Sequence, residues 1–234
     1  MRTSWIATIV AAEIAAAAAG HASQSDRGWT REFSTEKAEF ASVGRNPYFV
    51  LEPGHRRVLE DGDERLVITV LAATKTVDGV ETRVVEERET KAGAIVEVSR
   101  NYFAISRRTN SVFYFGEDVD MYTNGKVTSH EGSWISGVNG ARFGLMIPGL
   151  PLLGARYHEE VAPGVAMDRG EIVGMGGALQ VPAGSFRNVI RIEETTPLES
   201  GQREYKLYAA GVGLLQDGTL KLVRQGMENP GASP

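Results

Sequence analysis

The sequence predicts an all-β protein, a single antiparallel meander closing into a barrel or half-barrel, with a β-sandwich as the alternative. Three observations carry this. Short runs rich in Val, Ile, Thr and Tyr recur along most of the chain. Turn dipeptides such as Asp78-Gly79, Asn124-Gly125 and Asn139-Gly140 punctuate them. Beyond the N-terminus no stretch keeps a long helical period. A meander of about ten to twelve strands twists until it curls, and closure removes its exposed edges.

Taken in order, "MRTSWIATIVAAEIAAAAAG" opens with Arg2, continues as an apolar run from Trp5 to Ala19, and exits through the small residues of "AGHAS". This is the order of a secretory signal peptide, residues 1–22, cleaved after Ala22. A retained anchor is the competing reading, but Glu13 stands in the run, and a carboxylate there is costly in a bilayer. The expectation is a periplasmic or secreted protein with no integral membrane segment after cleavage. Residues 23–45 form a polar lead-in, in which Ser34 ahead of "TEKAEFASV" caps a short N-terminal helix.

Residues 46–224 make the barrel-like domain, and 225–234 a disordered tail. In "ERLVITV" Leu66, Ile68 and Val70 share one face at period two. "ARFGLMIPGLPLLG" is apolar but broken by Pro148 and Pro151, so it is not a long regular strand. In "EYKLY", Glu204, Lys206 and Tyr208 share one face, and Tyr205 and Leu207 the other. If the charged face looks inward, the interior holds a carboxylate and an ammonium that need partners. The competing reading has both facing water.

Composition narrows the function. The chain has 234 residues, 42% of them hydrophobic, and a formal net charge of −5, which argues against nucleic acid as a partner. It has no cysteine, so disulfides, thiolate zinc sites and a lipoprotein anchor are ruled out. His55, His130 and His158 lie on separate runs, without the close spacing of a zinc motif. "GSWISG" and "PAGSF" are not nucleophile elbows, "GMGGALQ" lacks the third glycine of a dinucleotide fingerprint, and there is no P-loop. A paired-carboxylate hydrolase is the one catalytic class left open, and the expectation is a binding protein rather than an enzyme.

"FGEDVDMYTNGKV" carries Glu117, Asp118 and Asp120 ahead of Asn124-Gly125. Set against a calcium loop starting at Asp118, Asp120 fits, but Tyr122, Thr123 and Ser129 stand where a ligand, the turning glycine and the bidentate glutamate belong. A hairpin turning at Asn124-Gly125 explains the stretch better. The apolar Phe143–Gly154 segment sits at a barrel mouth, either as a plug or as a lip over an apolar cavity. Its Phe143, Leu145, Met146, Ile147, Leu150, Leu152 and Leu153 are the candidate contacts for a small, apolar or lipid ligand.

The phrases "NPYFVLEPG", "YFGEDVDMYTNGKV", "GVNGARFGLMIPG", "VPAGSFRNV" and "EYKLYAAGVGLL" together resemble a family of exported bacterial all-β proteins without an assigned activity. The resemblance spans Asn46 to Gln216 and implies export and a mostly β fold. It also implies acidic positions at Glu117, Asp118, Glu160, Asp168, Glu194 and Glu204. These six make the alternative site, for a hard cation, calcium or magnesium, or for acid/base hydrolysis; otherwise no cofactor is expected. A third reading is a protein–protein module of the envelope.

Overall fold

The structure, a computed structural model, describes residues 28–228. The predicted signal peptide and the last six residues of the predicted tail lie outside that range. The described residues form eighteen strands: β1 (Phe40–Ala41), β2 (Gly44–Asn46), β3 (Phe49–Leu51), β4 (His55–Asp61), β5 (Glu64–Val77), β6 (Val80–Lys91), β7 (Ala94–Ser106), β8 (Val112–Thr123) and β9 (Lys126–Ser129). Then come β10 (Trp134–Ile135), β11 (Arg142–Ile147), β12 (Arg156–His158), β13 (Glu160–Val161), β14 (Arg169–Val181), β15 (Gly184–Thr195), β16 (Glu204–Ala209), β17 (Gly213–Asp217) and β18 (Leu220–Met227).

Thirteen of them form one antiparallel path, β12-β14-β15-β16-β17-β18-β4-β5-β6-β7-β8-β11-β13. Its two terminal strands are consecutive in the chain, separated by Glu159 alone. The segment 156–161 thus pairs with β14 through its first half and with β11 through its second, which nearly closes the sheet into a barrel rather than a sandwich. Both sharp turns read from the sequence form: Val77 pairs with Val80 and Thr123 with Lys126, with positive φ at Asp78, Gly79, Asn124 and Gly125. Two-residue turns of that hand match the twist of the strands they join.

Alternation sorts side chains into two clusters. Leu59, Leu66, Ile68, Val70, Val85, Phe103, Tyr114, Ile147, Ile172, Ile190, Ile192 and Leu222 fill the interior. On the outer face of β6 to β8, Phe40, Val84, Tyr102, Ala104, Phe113 and Phe115 form a second core. The N-terminal lead-in covers it. Phe33 and Phe40 set their rings edge-on to Phe113, at 5.4 and 5.3 Å, and Phe143 stacks on Phe115 at 4.7 Å.

The polar lead-in is thus anchored on the domain through Phe33 and Phe40. Its helix is reduced to one 3-10 turn, Lys37–Glu39, with no side-chain cap, because Phe40 and Ala41 are drawn into pairing with β7. At the other end of the domain β18 passes the predicted boundary at residue 224 and pairs Met227 with His55.

One barrel end is closed by apolar groups. The β2–β3 hairpin inserts Phe49 and Leu51 there, with the Phe49 ring 5.0 Å from Phe103. Asn46 holds the hairpin to the loops around it, its Nδ2 donating to the carbonyls of Asn110 and Pro148 at 2.8 and 3.0 Å.

Candidate functional site

The opposite end of the barrel is lined with carboxylates. The inward face of β6 runs Val85, Glu87, Glu89, and that of β7 runs Glu97, Ser99, Asn101. Glu89 is cross-strand neighbour to both Leu66 and Glu97, so the acids continue faces that are apolar further along the same strands. β8 adds Glu117, opposite Asn101, and β17 adds Asp217, opposite Lys206. Glu194 and Glu204 pair across β15 and β16. Glu159 and Glu160 enter from the segment that closes the barrel, and the Asp168 amide donates to Glu160 Oε1 at 2.6 Å.

Burial is graded across the cluster. Glu97, Glu117, Glu159, Glu160 and Asp217 are 2–7% exposed. Glu87, Glu89, Glu194, Glu204 and Lys206 are half-buried, and Asp168 stands exposed at the rim. Inward-facing side chains that keep partial exposure face an opening, so this end admits solvent.

A surface cleft of about 440 Å³ meets the cluster here, lined by Arg191, Arg203, Glu204, Tyr205, Leu207, Gln216 and Gly218. Arg191, Tyr205, Leu207 and Gln216 put this cleft on the outer face of β15 to β17, and Glu204 stands at its rim.

The electrostatics follow from burial and from like charge. Burial, reinforced by neighbouring carboxylates, pushes Glu89 up to about 8, Glu97 to about 9 and Glu204 to about 8. Glu117 is pushed by burial to about 8, against the opposing influence of the Tyr114 hydroxyl and the Trp134 indole. Glu194 rises only to about 7, because Lys206 Nζ lies 2.7 Å from its Oε2. Glu159 and Glu160 are held well above the usual carboxylate range, again chiefly by burial.

Lys206 is the central cation. Burial alone would lower it, but Glu194 and Asp217 outweigh that and keep it charged. Arg57, 2% exposed on β4, is a second cation, attracted to Glu87 and seated 5.7 Å from the Phe49 ring centre.

Local sequence makes room for this charge. A Cβ at Gly170 would stand 2.6 Å from Glu159 Oε1 and 2.9 Å from the Tyr157 ring, so glycine opposite Tyr157 and Glu194 leaves the Glu159 carboxyl its present place. Buried oxygens of Glu89, Glu97, Glu159, Glu194 and Asp217 have no hydrogen-bond partner within the described protein. A buried acceptor left unpaired is expensive, and these five converge on one end of the barrel.

Comparison with family models, curated proteins and solved structures returned no match to this chain.

Of the six acids singled out in the sequence, Glu117, Glu160, Asp168, Glu194 and Glu204 come together at the barrel mouth, with electrostatic coupling among them. Asp118 does not. It points to the outer face, where its carboxylate accepts from the Tyr102 hydroxyl and from Lys75 Nζ, the latter at 2.8 Å. Alternation alone separates it from Glu117. Among the described residues no three Asp, Glu, His or Cys side chains are placed to hold a metal ion.

The apolar candidates divide among three environments. Phe143 belongs to the outer aromatic cluster, and Ile147 is fully buried in the interior. Leu145 and Met146 are half-buried against the core. Leu150, Leu152 and Leu153 are 75%, 61% and 68% exposed.

The histidines are scattered as well. His55 is buried and lowered to about 4 by desolvation, His158 is wholly buried beside Trp29, and the largely exposed His130 sits 3.0 Å from Asp120. Sequence reasoning missed Glu87, Glu89, Glu97, Glu159 and Asp217. For the first three a signal existed: period-two alternation carried on from Val85 and back from Phe103 lands on them.

Proposed function

We propose that this barrel is a binding protein for a small amine-bearing cation, received at the carboxylate-lined mouth. The observation that carries the reading is the set of buried, unpartnered carboxylate oxygens on Glu89, Glu97, Glu159, Glu194 and Asp217 around a single ammonium, Lys206. Such a lining calls for a guest rich in N–H donors and positive charge. A bare ion would need a compact cage of ligands. An ammonium compound can instead bridge oxygens spread over several strands, and this favours an organic cation over calcium or magnesium.

The entry is the open end of the barrel, past Asp168 and Glu204. The apolar-ligand reading has less support, because Leu150, Leu152 and Leu153 stand in solvent rather than over the interior. The charge, apolar run and small-residue exit of the N-terminal sequence support a periplasmic or extracellular setting for this function. No chemical step is required of the site.

Calorimetry of the mature chain from Ser23 tests this with a linear diamine, calcium, magnesium and a fatty acid. The diamine is expected to bind, with a heat that depends on the buffer, because carboxyls raised to about 8 release protons when a cation arrives. Glu204→Gln is expected to weaken it. Binding of the fatty acid alone would return the site to the Phe143–Gly154 segment, and a chelator-sensitive calcium signal would make it a metal site.

A further inference from the structure

At the apolar end of the barrel the loop between β11 and β12 presents three leucines to solvent. Leu150 is 75% exposed, Leu152 61% and Leu153 68%, while Pro151 between them is buried. The loop is held, not loose. The Gly149 amide donates to Ser111 Oγ at 2.9 Å, Asn46 Nδ2 donates to the Pro148 carbonyl, and the Gly154 amide donates to the Ile172 carbonyl at 2.8 Å. That last bond sets the loop beside Val173 and Met175, which are 37% and 45% exposed. A fixed loop that keeps three leucines in water presents a surface built for something apolar.

The charge around it says what that is. The buried, unpaired acids lie at the opposite mouth, and the acids nearer this end, Glu39 and Glu52, are each paired with an arginine. Next to the leucine loop stands the turn between β7 and β8, with Arg107 and Arg108 exposed. Asn46 ties the two together, donating also to the Asn110 carbonyl of that turn. Two residues on, the Tyr48 hydroxyl reaches the Asn188 carbonyl at 3.3 Å, which brings exposed Arg187 to the same end. Arg108 pairs with Glu39, whereas Arg107 and Arg187 have no carboxylate partner among the described residues.

We propose that this end docks on an anionic lipid surface, with Leu150, Leu152 and Leu153 entering the headgroup boundary and Arg107 and Arg187 meeting lipid phosphates. Leucines at a tip with unpaired arginines behind them match the two layers of such an interface, apolar below and negatively charged above. The opposite, carboxylate-lined mouth then faces away from the membrane, toward the aqueous phase.

Cosedimentation of the mature chain with vesicles tests this, using phosphatidylglycerol–phosphatidylethanolamine in one series and phosphatidylcholine alone in the other. Binding to the anionic vesicles is expected, weakened by salt, with roughly a fivefold loss for each of Arg107→Gln and Arg187→Gln. The triple variant Leu150→Ser, Leu152→Ser, Leu153→Ser is expected to abolish it while keeping the wild-type thermal melt, since all three side chains already lie in water. Absence of wild-type binding would overturn the proposal, as would equal binding to both vesicle types or binding indifferent to the leucines. A wild-type dimer that the triple variant converts to monomer, without vesicle binding, would assign the surface to a second copy of the chain instead.

Discussion

Glu194 and Glu204 stand opposite each other on β15 and β16, both directed into the barrel, and Lys206 Nζ reaches Glu194 at 2.7 Å. One ammonium thus serves carboxyls from at least three strands, since Asp217 pairs with Lys206 from the other side. Water cannot screen this arrangement as it screens a surface pair, so the cation holds together groups that would otherwise repel.

Lys206→Met removes that charge and leaves the acids. Breaking a buried pair from one side costs about 3–5 kcal/mol, because the remaining charge has no partner. Urea unfolding at pH 7 should show a loss of this order. At pH 5 the loss should shrink, because the carboxyls raised to about 7 and 8 at Glu194 and Glu204 are then protonated and need no counterion. An equal loss at both pH values would mean that Lys206 acts through packing alone.

The barrel seam gives a second prediction. A Cβ on Gly144 would lie 2.4 Å from the Glu159 carbonyl oxygen and 2.5 Å from that of His158. These are backbone atoms of the closing segment and cannot swing aside. Gly144→Ala is expected to cost about 2 kcal/mol or more, in the range of overpacked cores. Hydrogen exchange would localise the damage: amides of 156–161 should lose protection, with β5 and β6 unaffected.

How much of this was legible in the sequence depends on range. Hairpins at Asp78-Gly79 and Asn124-Gly125 were readable because the turn chemistry is local, and strands such as Leu66 to Val70 because their alternation is. Closure was readable only as a tendency, since it depends on Glu159 splitting one segment between β14 and β11, a contact between residues distant in sequence. The inward turn of Glu204 and Lys206 was a coin with two faces: period two gives the pairing of side chains and not which side is the core. Glu87, Glu89 and Glu97 were passed over because charged residues on a strand normally face water. The anchoring of the lead-in was illegible for the converse reason. Phe33 and Phe40 are single aromatics in a polar stretch, and nothing local shows the Phe113–Phe115 face that they cover.

That covering layer yields a third prediction. Phe115 is fully buried, touching Phe40 at 5.2 Å and Phe143 at 4.7 Å. Phe115→Ala should cost about 3–5 kcal/mol through the cavity it leaves. Phe40→Ala should cost less and act differently, releasing β1 from β7 and exposing the outer face. Limited proteolysis distinguishes the two, with early cleavage within residues 28–46 expected for Phe40→Ala only.

The carboxylate cluster also sets the direction of the protein's pH dependence. Glu89, Glu97, Glu117 and Glu204 titrate at about 8 to 9 when folded, against an ordinary value of 4.5. Between those values the folded state holds more protons than the unfolded chain, so stability falls as pH rises, at up to about 1.4 kcal/mol per pH unit for each group. The contribution is complete below about pH 4.5 and is lost through about pH 9. This runs against the common case, in which paired carboxylates make acid the destabilising direction. Thermal melts from pH 5 to 9 should therefore show a steady decline, and Glu97→Gln should flatten it and raise the melting temperature at pH 9, since the amide has no charge to bury. A chain most stable at pH 8 would mean that the cluster is ionised and internally compensated, and the reading of its oxygens as waiting for a cation would fall with it.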